Sequence, residues 1–394
     1  MKRVLLLSAF LFLFAVEILG VYFIMPFPGS QKQQTIGFAY WFHHNIIWLR
    51  IAALLLLAYP LFLVLKYSGR WKKFAVLFGL GVYAVLFFLF NFLFRADKMF
   101  YQPRQKNMAN LTTNVIPPDK LVLGVTVNGE SRAYPIQLIG YHHQVSDTVG
   151  GVPVLVTYCT VCRSGRVFSP EVNGRLESFR LVGMNHFNAL FEDERTGSWW
   201  QQATGKAIAG PLKGSTLREF PSRQMTLASW LQANPASLIM QPDPGFVGKY
   251  KDLEGYDKGT VDNSLEGRDS LSWKEKSWVL GIAHGGHAKA YDWNELVREK
   301  LIEDSLPHLP VVIFLEQDGA SFHVWNRRLD TTVLRFEKIP ASNLFRDINT
   351  SSTWDSRGRG IAGPLKGRSL ETVQAYQEFW HSWRTFHPRT QWYE

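Results

Sequence analysis

The sequence predicts an N-terminal anchor of three transmembrane helices, followed by a mainly-β (α+β) domain built from two tandem pseudo-symmetric repeats. Three observations carry this expectation. Long apolar runs are confined to the chain before residue 95, β-branched runs separated by Asn-Gly and Gly-Gly turns follow them, and three blocks of residues recur in the same order. The chain has 394 residues, of which 46% are apolar and 19% charged, which excludes a disordered tail protein. With two cysteines it is no disulfide-stapled miniprotein either.

The helices come first. Residues 4–25 are apolar apart from Ser8 and Glu17, and further runs occupy 46–65 and 74–94. At about 1.5 Å per residue, each reaches across a hydrocarbon core of roughly 30 Å. Lys2 and Arg3 give the first run the basic start of a secretory signal. The run is too long for one, however, and Met25, Phe27 and Pro28 stand where a small-x-small cleavage site belongs, so an uncleaved helix is expected. The joint between the second and third runs holds Lys66, Arg70, Lys72 and Lys73, the densest basic cluster beside any span. With Lys2 and Arg3 it assigns the N-terminus and the joint to the cytoplasm, and an odd number of spans sends the rest outside. Arg95, Lys98, Arg104 and Lys106 pull the other way. Glu17 either pairs with a neighbouring helix or lies shallow enough to reach water.

Residues 95–120, with Pro103, Pro117 and Pro118, read as a linker. Beyond it the chain repeats itself. Val122-Leu123-Gly124-Val125, then Asn128-Gly129 and Ala133-Tyr134, are echoed by Val279-Leu280-Gly281-Ile282, Gly285-Gly286 and Ala290-Tyr291. Val152-Pro153-Val154 returns as Leu309-Pro310-Val311, and Ile208-Ala209-Gly210-Pro211-Leu212-Lys213-Gly214 returns unchanged from Ile361 to Gly367. Ordered recurrence indicates duplication, with one repeat at 121–241, a connection at 242–277 and a second repeat at 278–394.

Within the first repeat, Asn128-Gly129 and Asn173-Gly174 are hairpin signals. Residues 152–158 are short, β-branched and glycine-bounded, as in a buried strand. Short helices are expected at 227–233 and 372–386.

Three motifs then stand in order: His142-His143-Gln144-Val145-Ser146-Asp147, Gly150-Gly151-Val152-Pro153 and Thr157-Tyr158-Cys159-Thr160-Val161-Cys162. Phe191-Glu192-Asp193-Glu194-Arg195-Thr196-Gly197-Ser198-Trp199 and the Gly210–Gly214 block follow. From Leu121 to the C-terminus this combination resembles the bacterial domain-of-unknown-function family 3179. Departures are Thr160 in place of the usual proline and His143 in place of the usual acid. With the bacterial source that the resemblance implies, the spans and the basic clusters lead to the expectation of a multi-pass protein of the bacterial inner (cytoplasmic) membrane with a periplasmic C-terminal domain. It implies a site and no reaction.

The chemistry must come from the residues. Cys159 and Cys162 directly follow a strand at a spacing that suits a reducible disulfide or a shared metal ion. A structural disulfide across so short a loop would restrict the unfolded chain little. No long helix follows, so a thioredoxin-like site is not expected, although Arg163 and Arg166 are placed to lower a thiol pKa. A metal needs further ligands. His142 matches the family motif, His143 is its alternative on an alternating strand, and His186 is a further candidate. Sulfur with imidazole favours copper or zinc. Cys159, Cys162 and His142 are thus the expected catalytic set, with His186 added for metal, and Asp147 is a candidate to orient the histidine. The alternative is that the two cysteines are inert and buried. His284 and His287, a lone pair in a glycine-rich turn, read as solvated. The second repeat has Glu316 and Gly319 in place of the cysteines, which suggests one chemical and one structural copy.

The tryptophans, among them Trp199, Trp200, Trp230, Trp278 and Trp354, either line a groove for a polymer or pack the scaffold. The net charge of +10 is largely juxtamembrane and suits anionic lipid better than nucleic acid. No phosphate-cradling glycine loop, Gly-x-Ser-x-Gly elbow or His-Glu-x-x-His motif occurs. Two function classes remain, with the lipid bilayer as a partner of both. One is a thiol or metal site working with an exocytoplasmic redox or metal partner. The other is a non-catalytic interaction or polymer-binding module with structural cysteines.

Overall fold

A computed structural model describes residues 2–32 and 34–393, with the side chains of Lys2 and Arg3, on which part of the orientation rests, outside the description. The chain forms two compact units. One comprises the chain up to Tyr101 together with Glu177–Gln201 and Lys206–Thr216, and the other holds Gln102–Leu176, Gln202–Gly205 and Leu217–Glu394.

The first unit contains α1 (Lys2–Tyr22), α2 (Ile36–Tyr67) and α3 (Arg70–Phe88), which ends in one π turn at Leu89–Leu93. All three helices are long and apolar enough to cross a membrane. Helix α2 begins ten residues before its apolar run, because polar side chains there bond within the helix. Asn45 donates its amide to the Trp41 carbonyl at 2.8 Å, and His44 Nδ1 lies 3.0 Å from the Tyr40 carbonyl. Glu17 is enclosed rather than shallow. Arg50 donates from Nε and Nη2 at 2.8 and 2.7 Å, while Tyr83 and Asn91 each donate at 3.0 Å. A carboxylate in apolar surroundings is costly unless it is fully partnered, and this one draws partners from α2, α3 and the π turn.

The unit also holds an antiparallel sheet of Phe179–Asn185, Asn188–Asp193, Trp199–Gln201 and Ala207–Ala209. Its first hairpin turns through His186 and Phe187, with φ of 51° and 63°, as a twist-compatible two-residue turn requires. The exposed edge of Phe179–Asn185 is capped where Met184 N–H donates to the Ile24 carbonyl at 2.8 Å. Any side chain at Gly183 would meet that carbonyl, since its Cβ would lie 2.2 Å from the oxygen. Val182, Leu190, Trp199 and Ala209 then pack with Ile24 and Ala39.

In the second unit, Leu121–Val127 and Glu130–Pro135 form a hairpin in a sheet ordered Met108–Ala109, Leu238–Met240, Glu130–Pro135, Leu121–Val127, Ser222–Thr226. Part of the expected linker is therefore an edge strand. Gln144–Val149, Val152–Cys159 and Ser164–Phe168 make a three-stranded sheet. Later in the chain, Trp278–His284 lies between Ala375–Phe379 and His287–Asp292, and Leu309–Leu315 lies between Leu301–Leu306 and Phe322–Asn326. The helix expected at 372–386 is confined to Trp380–Phe386. Residues Ala375–Phe379 are instead a strand paired with Trp278–Ile282, because burial of Gln377, Glu378 and Phe379 on that sheet overrides local helix preference.

Two glycines set how closely the helices approach the sheets. A Cβ on Gly124 would sit 2.3 Å from the Trp230 ring, and one on Gly281 2.3 Å from the Trp383 ring. Trp230 and Trp383 are 3% and 0% exposed, so neither ring has room to yield. Gly281→Ala is expected to cost about 1–3 kcal/mol by overpacking, read as a lower melting midpoint. An unchanged midpoint would show that the Trp383 contact is not tight.

Candidate functional site

Strand Val152–Cys159 reverses into Ser164–Phe168 through a turn in which Cys162 N–H and Arg163 N–H donate to the carbonyls of Cys159 and Thr160, both at 3.3 Å. Both cysteines are thiols rather than a disulfide, and they are 2% and 0% exposed. The carbonyls of the turn are held from outside. Tyr256 Oη donates to Thr160 O at 2.8 Å, and Phe379 N–H donates to Cys162 O at 2.9 Å. Val161 O accepts from Lys276 Nζ at 2.8 Å and from His381 Nε2 at 3.0 Å. Burial lowers the Lys276 pKa, and the nearby Cys162 and Cys159 sulfurs oppose that shift. The thiols therefore lie in the field of a lysine but out of reach of solvent.

The turn delivers Arg163. This residue takes φ of 55°, in the left-handed region, and is 1% exposed. Among the described residues its guanidinium donates to neutral acceptors: Gln377 Oε1 at 2.9 Å, Tyr256 O at 3.1 Å and Asp257 O at 3.3 Å. It lies 3.7 Å from the Trp278 ring, and the Arg268 guanidinium lies 4.0 Å from the same ring. Arg163, Asp257, Arg268 and Trp278 line a cavity of about 870 Å³, which Glu316 and Asp318 also border. Asp257 Oδ1, Arg268 Nε and Trp278 Nε1 are buried without a hydrogen-bond partner. Burial raises the Asp257 pKa, against the Leu121 N–H that donates to its other oxygen at 3.0 Å.

The histidines go elsewhere. His142 and His143 are not on a strand: His142 ends the helix Ile136–His142, and His143 caps it at φ of 59°. The His142 ring packs against Tyr141, Phe246 and Tyr250, with Nε2 2.7 Å from Tyr250 Oη. His143 Nδ1 reaches the Tyr158 carbonyl at 3.0 Å, and burial lowers its pKa. Asp147 is engaged by Arg132 at 2.6 Å, Tyr134 at 2.7 Å and Lys106 at 2.8 Å. His186 belongs to the first unit, on its hairpin tip, with Nδ1 3.1 Å from the Gln31 carbonyl. His284 and His287 are exposed across their hairpin. Among the described residues no three His, Cys, Asp or Glu side chains are grouped to hold a metal ion. No metal-holding group among the described residues supports the expected copper or zinc set of Cys159, Cys162, His142 and His186, and the His142 ring packs into an aromatic cluster at the end of its helix.

Sequence reasoning missed Lys276, His381, Tyr256 and Arg268. They come from the connection and the C-terminal helix, more than 90 residues from the cysteines, and no local motif marks them. The tryptophans resolve as scaffold at Trp199, Trp200, Trp230 and Trp354, all under 4% exposed, while Trp278 borders the cavity.

A family model described as a protein of unknown function, DUF3179, matches residues 101–390, and the chain belongs to this family. No curated protein and no solved structure matches it.

Burial pulls the His381 pKa down to about 3 from the ordinary 6.5, so the folded protein holds it neutral. A depressed folded value means stability present above pH 6.5 and lost progressively as pH falls towards about 3. Between pH 6.5 and 4.5 this one group should cost roughly 2 kcal/mol. His381→Gln should flatten the dependence of melting midpoint on pH over that window. An unchanged slope would show that His381 does not titrate in this way.

Proposed function

We propose that the chain is a membrane-tethered binding protein whose extracytoplasmic region takes a small polar ligand in the cavity beside Trp278, with Cys159 and Cys162 as framework. The carrying observation is that Arg163 and Arg268, both against Trp278, converge on one cavity with Asp257, and that three buried polar atoms there lack partners. Buried donors and acceptors are ordinarily satisfied, so three unmet groups on residues of one cavity support a site that orders around a polar ligand. The guanidiniums of Arg163 and Arg268 and the carboxyl groups of Asp257, Glu316 and Asp318 around one cavity suit a ligand bearing both charges, an amino acid or short peptide.

The extracytoplasmic placement rests on Lys66, Arg70, Lys72 and Lys73 at the joint between α2 and α3. Descent of residues 121–241 and 278–394 from one duplicated unit is supported by their common order of strands and helices. It is supported further by twin networks. Asp193 accepts from Thr196 N–H at 2.6 Å and Trp200 Nε1 at 2.8 Å, and Asp347 from Thr350 N–H at 2.7 Å and Trp354 Nε1 at 3.1 Å. A second reading, thiol chemistry at Cys159 and Cys162 with an extracytoplasmic redox partner, is favoured by Lys276 and opposed by the burial of both sulfurs.

Intrinsic tryptophan fluorescence of the purified protein, titrated with amino acids, dipeptides and neutral sugars, tests the main reading. Zwitterions should give saturable changes that Arg268→Gln weakens at least tenfold while melting is unaffected. Binding of neutral sugars alone, or zwitterion binding indifferent to Arg268→Gln, would overturn it.

A further inference from the structure

A second cavity in the same unit has a different chemistry. It encloses about 530 Å³ and is lined by Arg223, Arg357, Arg359 and His323, with Trp230 and Ser222 among its walls. Among the described residues no aspartate or glutamate lines it. That volume lies within the range of small-molecule sites.

The charges are unevenly balanced. Arg357 is paired with Asp355 at 2.8 Å. His323 Nε2 meets Glu316 Oε1 at 2.6 Å, so that ring is already engaged by a neighbouring side chain. Arg223 makes no ion pair among the described residues. Its Nη2 donates to the neutral Thr372 Oγ1 at 2.6 Å, and burial lowers its pKa. Arg359 likewise makes no ion pair among the described residues; the turn that carries it is fixed where its N–H donates to Asp355 Oδ1 at 3.0 Å. Two guanidiniums therefore face one cavity without a counter-charge.

A further observation points to a ligand. Ser222 also lines the cavity; it is 6% exposed, and its buried Oγ has no hydrogen-bond partner, so no bond keeps the hydroxyl from turning towards a ligand. Its backbone is fixed by Gln374, which accepts from Ser222 N–H at 3.1 Å and donates to Ser222 O at 3.0 Å. A hydroxyl and two planar forks are the groups that recognise an oxyanion, because each fork can donate two parallel hydrogen bonds.

We propose that this cavity is a binding site for an oxyanion, a phosphate- or carboxylate-bearing small molecule, held by Arg223 and Arg359 with Ser222. It is independent of the cavity beside Trp278, and neither arginine borders that one.

The test is calorimetric titration of the full chain in detergent at constant ionic strength. Inorganic phosphate and citrate are the soluble probes, and short-chain phosphatidylglycerol below its micelle concentration is the lipid probe. At least one should bind saturably above a chloride background. Binding of phosphate or citrate would mark a soluble ligand, and binding of the lipid alone a headgroup. Arg359→Gln, on the exposed turn, should weaken binding at least tenfold, Arg223→Gln should do the same, and Arg268→Gln should leave it unchanged. The proposal is overturned if none of the three probes binds, or if binding persists unchanged in folded Arg359→Gln.

Discussion

The second unit is organised around a buried cation. Arg163 carries a permanent charge, is almost wholly enclosed, and finds three neutral acceptors and an indole face in place of a carboxylate. Desolvating a guanidinium is costly unless each donor is met, so its neighbours are constrained together. Gln377 comes from the strand before the C-terminal helix, Tyr256 and Asp257 from the connection, and Trp278 from the strand that opens the later half. The left-handed conformation at Arg163 adds a backbone cost that only such a set of contacts sustains. The Cys-x-x-Cys turn, in this account, is the hinge that aims the arginine.

Around this constraint, segments far apart in the chain clamp each other. The cysteine turn is gripped by Phe379 and His381, just before and within the C-terminal helix. Later in the chain, the turn after Leu309–Leu315 grips the strand and helix at Thr226 and Ser229. Thr226 N–H donates to Ser321 Oγ at 3.0 Å, and Ser229 Oγ donates to Glu316 at 2.7 Å. Where one turn carries thiols the other carries acids, and the cavity beside Trp278 is bordered by both. The cluster at Glu17 among the three long apolar helices follows the same rule, with a buried charge tolerated because several elements surrender partners to it.

Much of this was legible in the sequence. Long apolar runs located α1–α3 because membrane helices are set by length and composition. The Asn128-Gly129 turn and the glycine-bounded run before Cys159 located their strands because turn chemistry and alternation are local. The site was legible only in part. Cys159 and Cys162 stood out by spacing, but their meaning depends on burial and on Lys276, His381 and Tyr256, which the fold imports from far along the chain. The helix that ends at His142 was hidden because a short helix at 136–142 looks, in sequence, like the run-up to a strand. The strand at Ala375–Phe379 was hidden for the same reason, since its conformation is decided by the sheet it joins.

The central claim, that the cysteine turn is framework for Arg163 and not a thiol centre, is tested most directly by the rate at which the native protein reacts with an aromatic disulfide reagent. The account predicts that both thiols stay unreactive in the folded chain and that two react per chain once it unfolds. Prompt reaction of Cys159 or Cys162 in the folded protein, or a disulfide between them that forms and reduces reversibly without unfolding, would contradict it.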